Sequence, residues 1–298
     1  MRESGRRDSL REQTQLPFVQ ASDPMRMPGP FLKWAGGKRQ LLPELMGRIK
    51  RLEGFGRYHE PFVGGGALFF ELYRHGALEE PAYLSDNNPN LVAAYEGVKH
   101  DVEQVIALLR EHKACHCKEH YYAVRATKPE SLAARAARII YLNRTCFNGL
   151  FRENSRGEFN VPMGRYKDPR ICDEANLLAV SRALQHACIE TRPFESALDR
   201  AQPEDLIYFD PPYDPVSATA SFTAYQKGGF GEAEQRALAV VVRELSARGV
   251  HVLLSNSWTP LVIELYSGFA LEQVFAKRNV NSRADKRGAV PEALVGNF

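Results

Sequence analysis

Short apolar runs alternate with longer stretches of helical spacing along this chain. Leu206 to Phe209 is apolar and aromatic, with charge before it and proline after it, and predicts a buried strand. Val250 to Ser257 predicts a second buried strand, ending in polar residues. Tyr58 to Phe70 reads as strand, glycine turn and helix, and Tyr83 to Pro89 as a further strand with a polar end. Arg39 to Leu52 is amphipathic, Leu91 to Leu142 has helical spacing, and Glu232 to Arg248 predicts one more helix. Phe269 to Val280 and Ala289 to Phe298 predict closing strands. Strands alternating with helices make the expected fold class α/β.

In open α/β sheets, ligands sit outside the carboxyl ends of the strands, so the polar residues there are the candidates for chemistry. Proline cannot continue a ladder, so the strand from Leu206 stops at Asp210 and is followed by Pro211, Pro212 and Tyr213. The Asp210 carboxylate and the Pro211 carbonyl are two acceptors, matching the two N–H donors of an exocyclic amine on a base. Holding both draws the nitrogen lone pair out of conjugation and aims it at a methyl donor. Tyr213 offers a flat face for a base. On these residues alone a plain turn, with Asp as turn former, stays open.

Other strand ends add to the picture. Gly64 to Gly66 lets backbone approach a ligand closely but lacks the full dinucleotide spacing. Asp86 can accept hydrogen bonds from a ribose diol, or cap the helix that starts near Pro89. Gly36-Gly37-Lys38 can seat an anionic group, but Arg39 stands where a phosphate-loop hydrolase carries Ser or Thr. Trp34, taken alone, reads as core.

Asn143 to Lys167 interleaves arginine, asparagine and aromatic residues, with Ser155-Arg156-Gly157 placed as a hairpin tip between Leu150-Phe-Arg152 and Phe159-Asn-Val161. Such a ribbon suits DNA, with arginine forks on guanine, Arg and Lys on phosphates, and aromatics wedged or stacked. A solvated surface hairpin is the other reading. His112, Cys115, His116, Cys117 and His120 do not have the spacing of a zinc module, and no metal is expected.

Composition narrows the class only slightly. A net charge of +3 and a pI of about 8.5 over 298 residues are compatible with nucleic acid without pointing to it. No long apolar run predicts a membrane span, and the charged residues Met1 to Arg11 lead into no secretory apolar region. Five scattered cysteines fit a reduced, cytoplasmic protein. Met1 to Gly29 has no periodicity and reads as a disordered arm.

Taken together, several stretches resemble the DNA adenine-N6 methyltransferases of the Dam and Dpn restriction–modification type. They are Phe31-Leu-Lys-Trp-Ala-Gly-Gly-Lys38, Glu60-Pro-Phe-Val-Gly-Gly-Gly66, Ser85-Asp-Asn87, Phe147-Asn-Gly-Leu-Phe-Arg152, Phe159-Asn-Val-Pro-Met-Gly-Arg-Tyr-Lys167, Asp210-Pro-Pro-Tyr213 and Leu254-Ser-Asn-Ser257. They follow the family's order from about Pro30 to the end of the chain. Lys38-Arg-Gln-Leu-Leu-Pro43 and Ser221-Phe-Thr-Ala-Tyr225 are closer to the Dpn type.

The resemblance implies a doubly wound, Rossmann-like methyltransferase sheet with an inserted helical and β-hairpin DNA-recognition domain. Residues 30–95 and 190–298 would form the catalytic part and 96–189 the target-recognition part. It implies S-adenosylmethionine as methyl donor and adenine in double-stranded DNA, in the site GATC, as acceptor. By position Trp34, Lys38, Phe62, Gly64, Gly66, Asp86 and Asp210 match cofactor contacts. Asp210, Pro211, Pro212 and Tyr213 match the catalytic corner. Arg152 matches a guanine-reading arginine and Lys33 a second base contact. Phe147 and Asn148 match side chains inserted where the base has flipped out, although Dam members often carry tyrosine at the Phe147 position. Arg165 and Lys167 belong to the same DNA-binding ribbon. The expected protein is a cytoplasmic monomer that binds no membrane, and a cognate restriction endonuclease acting independently is a further partner that the resemblance allows. The rival readings are a cytosine-N4 enzyme, which usually has Ser in place of Asp210, and a non-catalytic DNA-binding protein on the same fold. The rival without catalysis predicts a damaged cofactor pocket, whereas Lys38, Asp86 and Asp210 are all present.

Overall fold

The computed structural model describes residues 26–34, 40–154, 156–215, 230–277 and 289–298. Lys38 with its glycine turn, most of the N-terminal arm, Ser221 to Tyr225, and the basic residues Arg278, Arg283, Lys286 and Arg287 lie outside them.

A single sheet holds strands β1 (Tyr58–Glu60), β2 (Ala82–Asp86), β3 (Ala187–Thr191), β4 (Leu206–Phe209), β5 (His251–Ser257), β6 (Ala270–Lys277) and β7 (Ala289–Gly296). Their order is β3-β2-β1-β4-β5-β7-β6. The β1–β2, β1–β4, β2–β3 and β4–β5 pairs are parallel, whereas β7 runs antiparallel to both β5 and β6. This is the α/β class that the element pattern predicts, with the doubly wound sheet that the resemblance implies. Strand order reverses between β1 and β4, which opens a crevice beyond their carboxyl ends.

The apolar run of β4 follows from its central place. All four of its residues are buried, as a parallel strand covered on both faces must be. Successive side chains point to opposite faces, so Leu206 and Tyr208 join one core while Ile207 and Phe209 join the other. Helix α9 (Glu232–Ala247) covers the second core with Leu238, Val242 and Leu245, aided by α10 (Pro260–Leu265). The first core contains α1 (Leu42–Ile49), α2 (Ala67–Arg74) and α3 (Pro89–His100). It continues into α4 (Val102–Ala114), α5 (Lys118–Ala126), α6 (Leu132–Thr145) and α7 (Glu174–Leu184), all placed between β2 and β3 in the chain. Helix α8 (Ala197–Arg200) leads into β4.

After α6 the chain turns through Phe147–Gly149 and runs out and back as the ribbon read above as a hairpin. Its arms meet in isolated bridges, Cys146 with Met163 and Glu153 with Phe159, rather than in a continuous ladder. Two local causes account for this. Pro162 has no N–H to give, and its carbonyl accepts the Phe147 N–H at 2.9 Å. At the tip the Asn154 side chain takes the N–H groups of Arg156 and Glu158, replacing ladder bonds with an Asx turn.

Candidate active site

The turn after β4 is held from two neighbouring elements. Asn256, on β5, accepts the Asp214 N–H at 3.0 Å. Its amide donates to Gln235 Oε1 at 2.9 Å, and Gln235 Nε2 donates to the Pro212 carbonyl at 3.0 Å. Both Gln235 and Asn256 are fully buried, so this ring of polar groups satisfies itself away from water. Ser255 is also buried. Its hydroxyl accepts from Tyr208 OH (2.8 Å) and uses its one proton on Asp210 Oδ1 (3.0 Å). Tyr213 donates to Glu292 Oε2 of β7 at 2.9 Å, which fixes the ring beside Asp210. Burial, then the Asp210 charge, push the Tyr213 hydroxyl well above its ordinary pKa, so it stays a donor.

The ends of β1 and β2 complete the crevice. Asp86 accepts the Asn88 N–H at 2.9 Å and the Gly64 N–H at 3.4 Å, and burial raises its pKa against those bonds. Asn88, not Asp86, caps α3 by accepting from Asn90 and Leu91, which leaves Asp86 for another role. Gly64 has φ +47°, and a Cβ there would stand 2.8 Å from Trp34 Cδ1, so only glycine lets this turn pass under the indole. Trp34 is therefore half-buried beside the turn and packs on Phe151, with ring centroids 5.4 Å apart. Phe62 lies among Phe194, Phe209 and Phe230.

Glu60 ends β1 inside the protein, only 3% exposed. Tyr58 OH donates to its Oε2 at 2.9 Å, and the N–H of Phe69, in the first turn of α2, bonds to it as well. Burial outweighs both bonds, and with the nearby Asp210 charge it raises the carboxyl pKa to about 8.

A second group of residues gathers at the recognition ribbon. Asn143, on α6, accepts the Lys33 N–H (2.7 Å) and donates to the carbonyls of Lys33 (2.8 Å) and Gly149 (3.1 Å). Gly149, at φ +64°, leaves room for Lys33, whose Cβ lies 2.7 Å from where a Gly149 Cβ would be. The Lys33 ammonium stands 4.1 Å from the Tyr166 ring centroid, and burial followed by the Arg144 charge lowers its pKa. Asn148 has φ 54°, and Phe147 beside it is 50% exposed. Arg152 is exposed and donates from Nε to Asn160 Oδ1 at 2.7 Å. Arg165 and Lys167 are exposed on the returning arm. Arg125, Lys128, Arg135 and Arg138 line a cleft of about 570 Å³ between α5, α6 and the ribbon.

On the helical side of α6, the His112 Nδ1 and His120 Nε2 atoms are 3.1 Å apart, and both rings pack on Tyr141. Among the described residues no three His, Cys, Asp or Glu side chains are placed to share a metal ion.

The structure thus draws Asp210, Tyr213, Phe62, Gly64, Gly66 and Asp86 to one edge of the sheet, and Lys33, Phe147 and Asn148 to one loop. Sequence reasoning passed over Ser255, Gln235, Glu292, Glu60 and Asn143. Glu60 and Ser255 stand inside quoted motifs, and a lone Glu292 in an otherwise apolar strand was a usable signal.

The model of the D12 class N6 adenine-specific DNA methyltransferases matches residues 34–280, a span that contains both groups apart from Lys33 and Glu292. The chain belongs to that family. It is 41% identical to the type II methyltransferase M1.LlaDCHI of Lactococcus lactis subsp. cremoris over 90% of this chain and 95% of that one. It is likewise 41% identical to the type II methyltransferase M.MjaIII of Methanocaldococcus jannaschii, over 90% and 99% of the two chains. It is 37% identical to the DNA adenine methylase of Escherichia coli K12, over 89% and 94%. This methyltransferase acts on the N6 amine of adenine in DNA, with S-adenosylmethionine as methyl donor. No helix among its described residues is long and apolar enough to cross a membrane.

Proposed function

We propose that this methyltransferase modifies the adenine of GATC in double-stranded DNA, with Asp210 and Tyr213 at the reacting centre. The observation that carries the reading is the Ser255–Asp210 bond beside a clamped Pro-Pro turn, at the switch point of the sheet. Adenine N6 cannot be reached in line inside the stack, so the base flips out and stacks on Tyr213. Its two N–H donors meet Asp210 and the Pro211 carbonyl. Ser255 holds one carboxylate oxygen of Asp210 and so orients the group toward the amine. Pro212, whose carbonyl is taken by Gln235, stiffens the turn.

The donor site fits this chain's residues. The glycine turn passes so close beneath Trp34 that any side chain would fill the space, and the Asp86 carboxylate sits at a strand end without serving as a cap. Trp34, Lys38, Phe62, Gly64, Gly66 and Asp86 would hold S-adenosylmethionine, Asp86 through the ribose hydroxyls. When bound, it supplies an electrophilic methyl group. The protein contributes alignment and electrostatics rather than a new nucleophile.

At the ribbon, Arg152 reads guanine, Lys33 makes a second base contact, and Phe147 and Asn148 enter the space the base has left. Arg165 and Lys167 hold phosphates. Residues 96–189 form the target-recognition part and 30–95 with 190–298 the catalytic part. The enzyme works as a cytoplasmic monomer. The type II names of two relatives support a place beside a restriction endonuclease that acts independently.

Tritiated-methyl transfer to duplexes containing GATC, compared with duplexes of scrambled sequence, tests the reading. Transfer confined to GATC supports it; equal transfer to both removes the assignment of the site.

A further inference from the structure

Glu60 is a buried carboxyl for which the reading above has no use. It lies on β1, in parallel register with β4, whose end carries Asp210. The titratable groups facing it are Tyr58 on its own strand, Tyr208 and Asp210 on the β4 side, and Tyr95 of α3. From α2 it meets the Phe69 N–H, at the positive end of that helix. All these side chains are neutral except Asp210, a second carboxylate close enough to oppose ionisation of the first. Two neighbouring carboxyl groups, one of them buried, cannot both ionise cheaply unless a positive charge joins them.

The methyl donor brings such a charge, and loses it in the reaction. We propose that Glu60 is a charge-balancing residue: its carboxyl gives a proton to solvent when the cationic donor binds beside Asp210, and takes one back once the donor has become a neutral thioether. The step balances. The amine nitrogen forms a bond to the methyl carbon, the carbon–sulfur bond breaks with its electron pair left on sulfur, and the nitrogen sheds one proton to solvent. The crevice has then lost its positive sulfur, and Glu60 regains a proton, so the count of protons held by the site ends where it began. A pKa of about 8 in the protein without donor suits this exchange, because the acid is mostly protonated at neutral pH yet within reach of a modest electrostatic push.

The inference rests on placing the donor at the ends of β1, β2 and β4. Its test is calorimetric titration of the full-length enzyme with S-adenosylmethionine and, separately, S-adenosylhomocysteine, at pH 7 in buffers of different ionisation enthalpy. The two ligands differ in the sulfonium methyl and its charge, so the difference in proton count isolates that charge. The expected result is release of about 0.5–1 proton more with S-adenosylmethionine, and loss of that difference in Glu60→Gln. Equal counts for the two ligands in the wild-type protein would overturn the role of Glu60, as would an undiminished difference in a folded Glu60→Gln. Should Glu60→Gln fail to fold, Tyr58→Phe removes one bond that favours the carboxylate. Its proton-release profile should then move to higher pH, and an unmoved profile overturns the proposal. The placing of the donor fails by a separate sign, namely donor affinity unchanged by substitution of Asp86 or Gly64.

Discussion

Ser255 Oγ donates to Asp210 Oδ1 at 3.0 Å, from β5 to the end of its neighbour β4. The register Phe209 opposite Leu254 makes this the first side-chain pair beyond the paired residues of β4. A buried hydroxyl with its own donor in Tyr208 is thus committed to orienting one carboxylate oxygen.

Replacing Ser255 with Ala should therefore slow transfer while leaving DNA affinity nearly unchanged. A hydrogen bond to a charged group contributes about 1.5–3 kcal/mol, so kcat should fall roughly 10- to 150-fold. Steady-state kinetics of methyl transfer, with kcat and KM separated, check this. A rise in KM for DNA at constant kcat would mean that the bond serves folding of the DNA face instead.

Gly64→Ala should weaken donor binding by at least about tenfold, or about 1.4 kcal/mol. The added Cβ would stand 2.8 Å from Trp34 in a left-handed backbone position, so both the turn and the indole must shift. Direct titration with S-adenosylmethionine reads the effect. Unchanged affinity would remove the turn from the donor site.

Asn143→Ala should lower stability by about 2–4 kcal/mol, because a buried side chain that makes three bonds to backbone is lost and its partners are left without it. Thermal denaturation should show a Tm several degrees lower. The same variant should blur discrimination between target and non-target duplexes, since Lys33 is positioned through Asn143.

Glu60 makes stability depend on pH in a definite direction. Its carboxyl pKa rises on folding from the ordinary 4.5 to about 8. Between those values the unfolded chain has released a proton that the folded chain keeps, so this contribution to stability falls as pH climbs from about 4.5 to 8 and is level above. Glu60→Gln lacks the dependence. Its Tm relative to the wild-type protein should rise between pH 5.5 and 8, by roughly 2–4 °C per kcal/mol. A variant Tm that stays level or falls relative to the wild-type Tm over this range in calorimetric scans would contradict the assignment.

How much of this was legible beforehand differs from residue to residue. Asp210 was, because an apolar run cut short by two prolines marks both the strand and its end. The cofactor side was half legible. Asp86 had two readings, and only the structure shows that Asn88 takes the cap and frees it. Ser255 was visible as a polar residue at a strand end, but its partner was not, since register between β4 and β5 is set by packing over long sequence separation. Gln235 could not be picked out, because its helix carries several polar residues and only burial distinguishes this one. The ribbon's basic and aromatic character was plain, yet its bridges are isolated because Pro162 and Asn154 divert backbone bonds that a regular hairpin would use.

Asp210→Ala, assayed for tritiated-methyl transfer to a GATC duplex beside separate titrations with DNA and with S-adenosylmethionine, addresses the acceptor corner most directly. Loss of transfer by more than about a hundredfold, with DNA binding retained, is the expected result. Transfer at a near-normal rate would mean that the amine is aligned elsewhere.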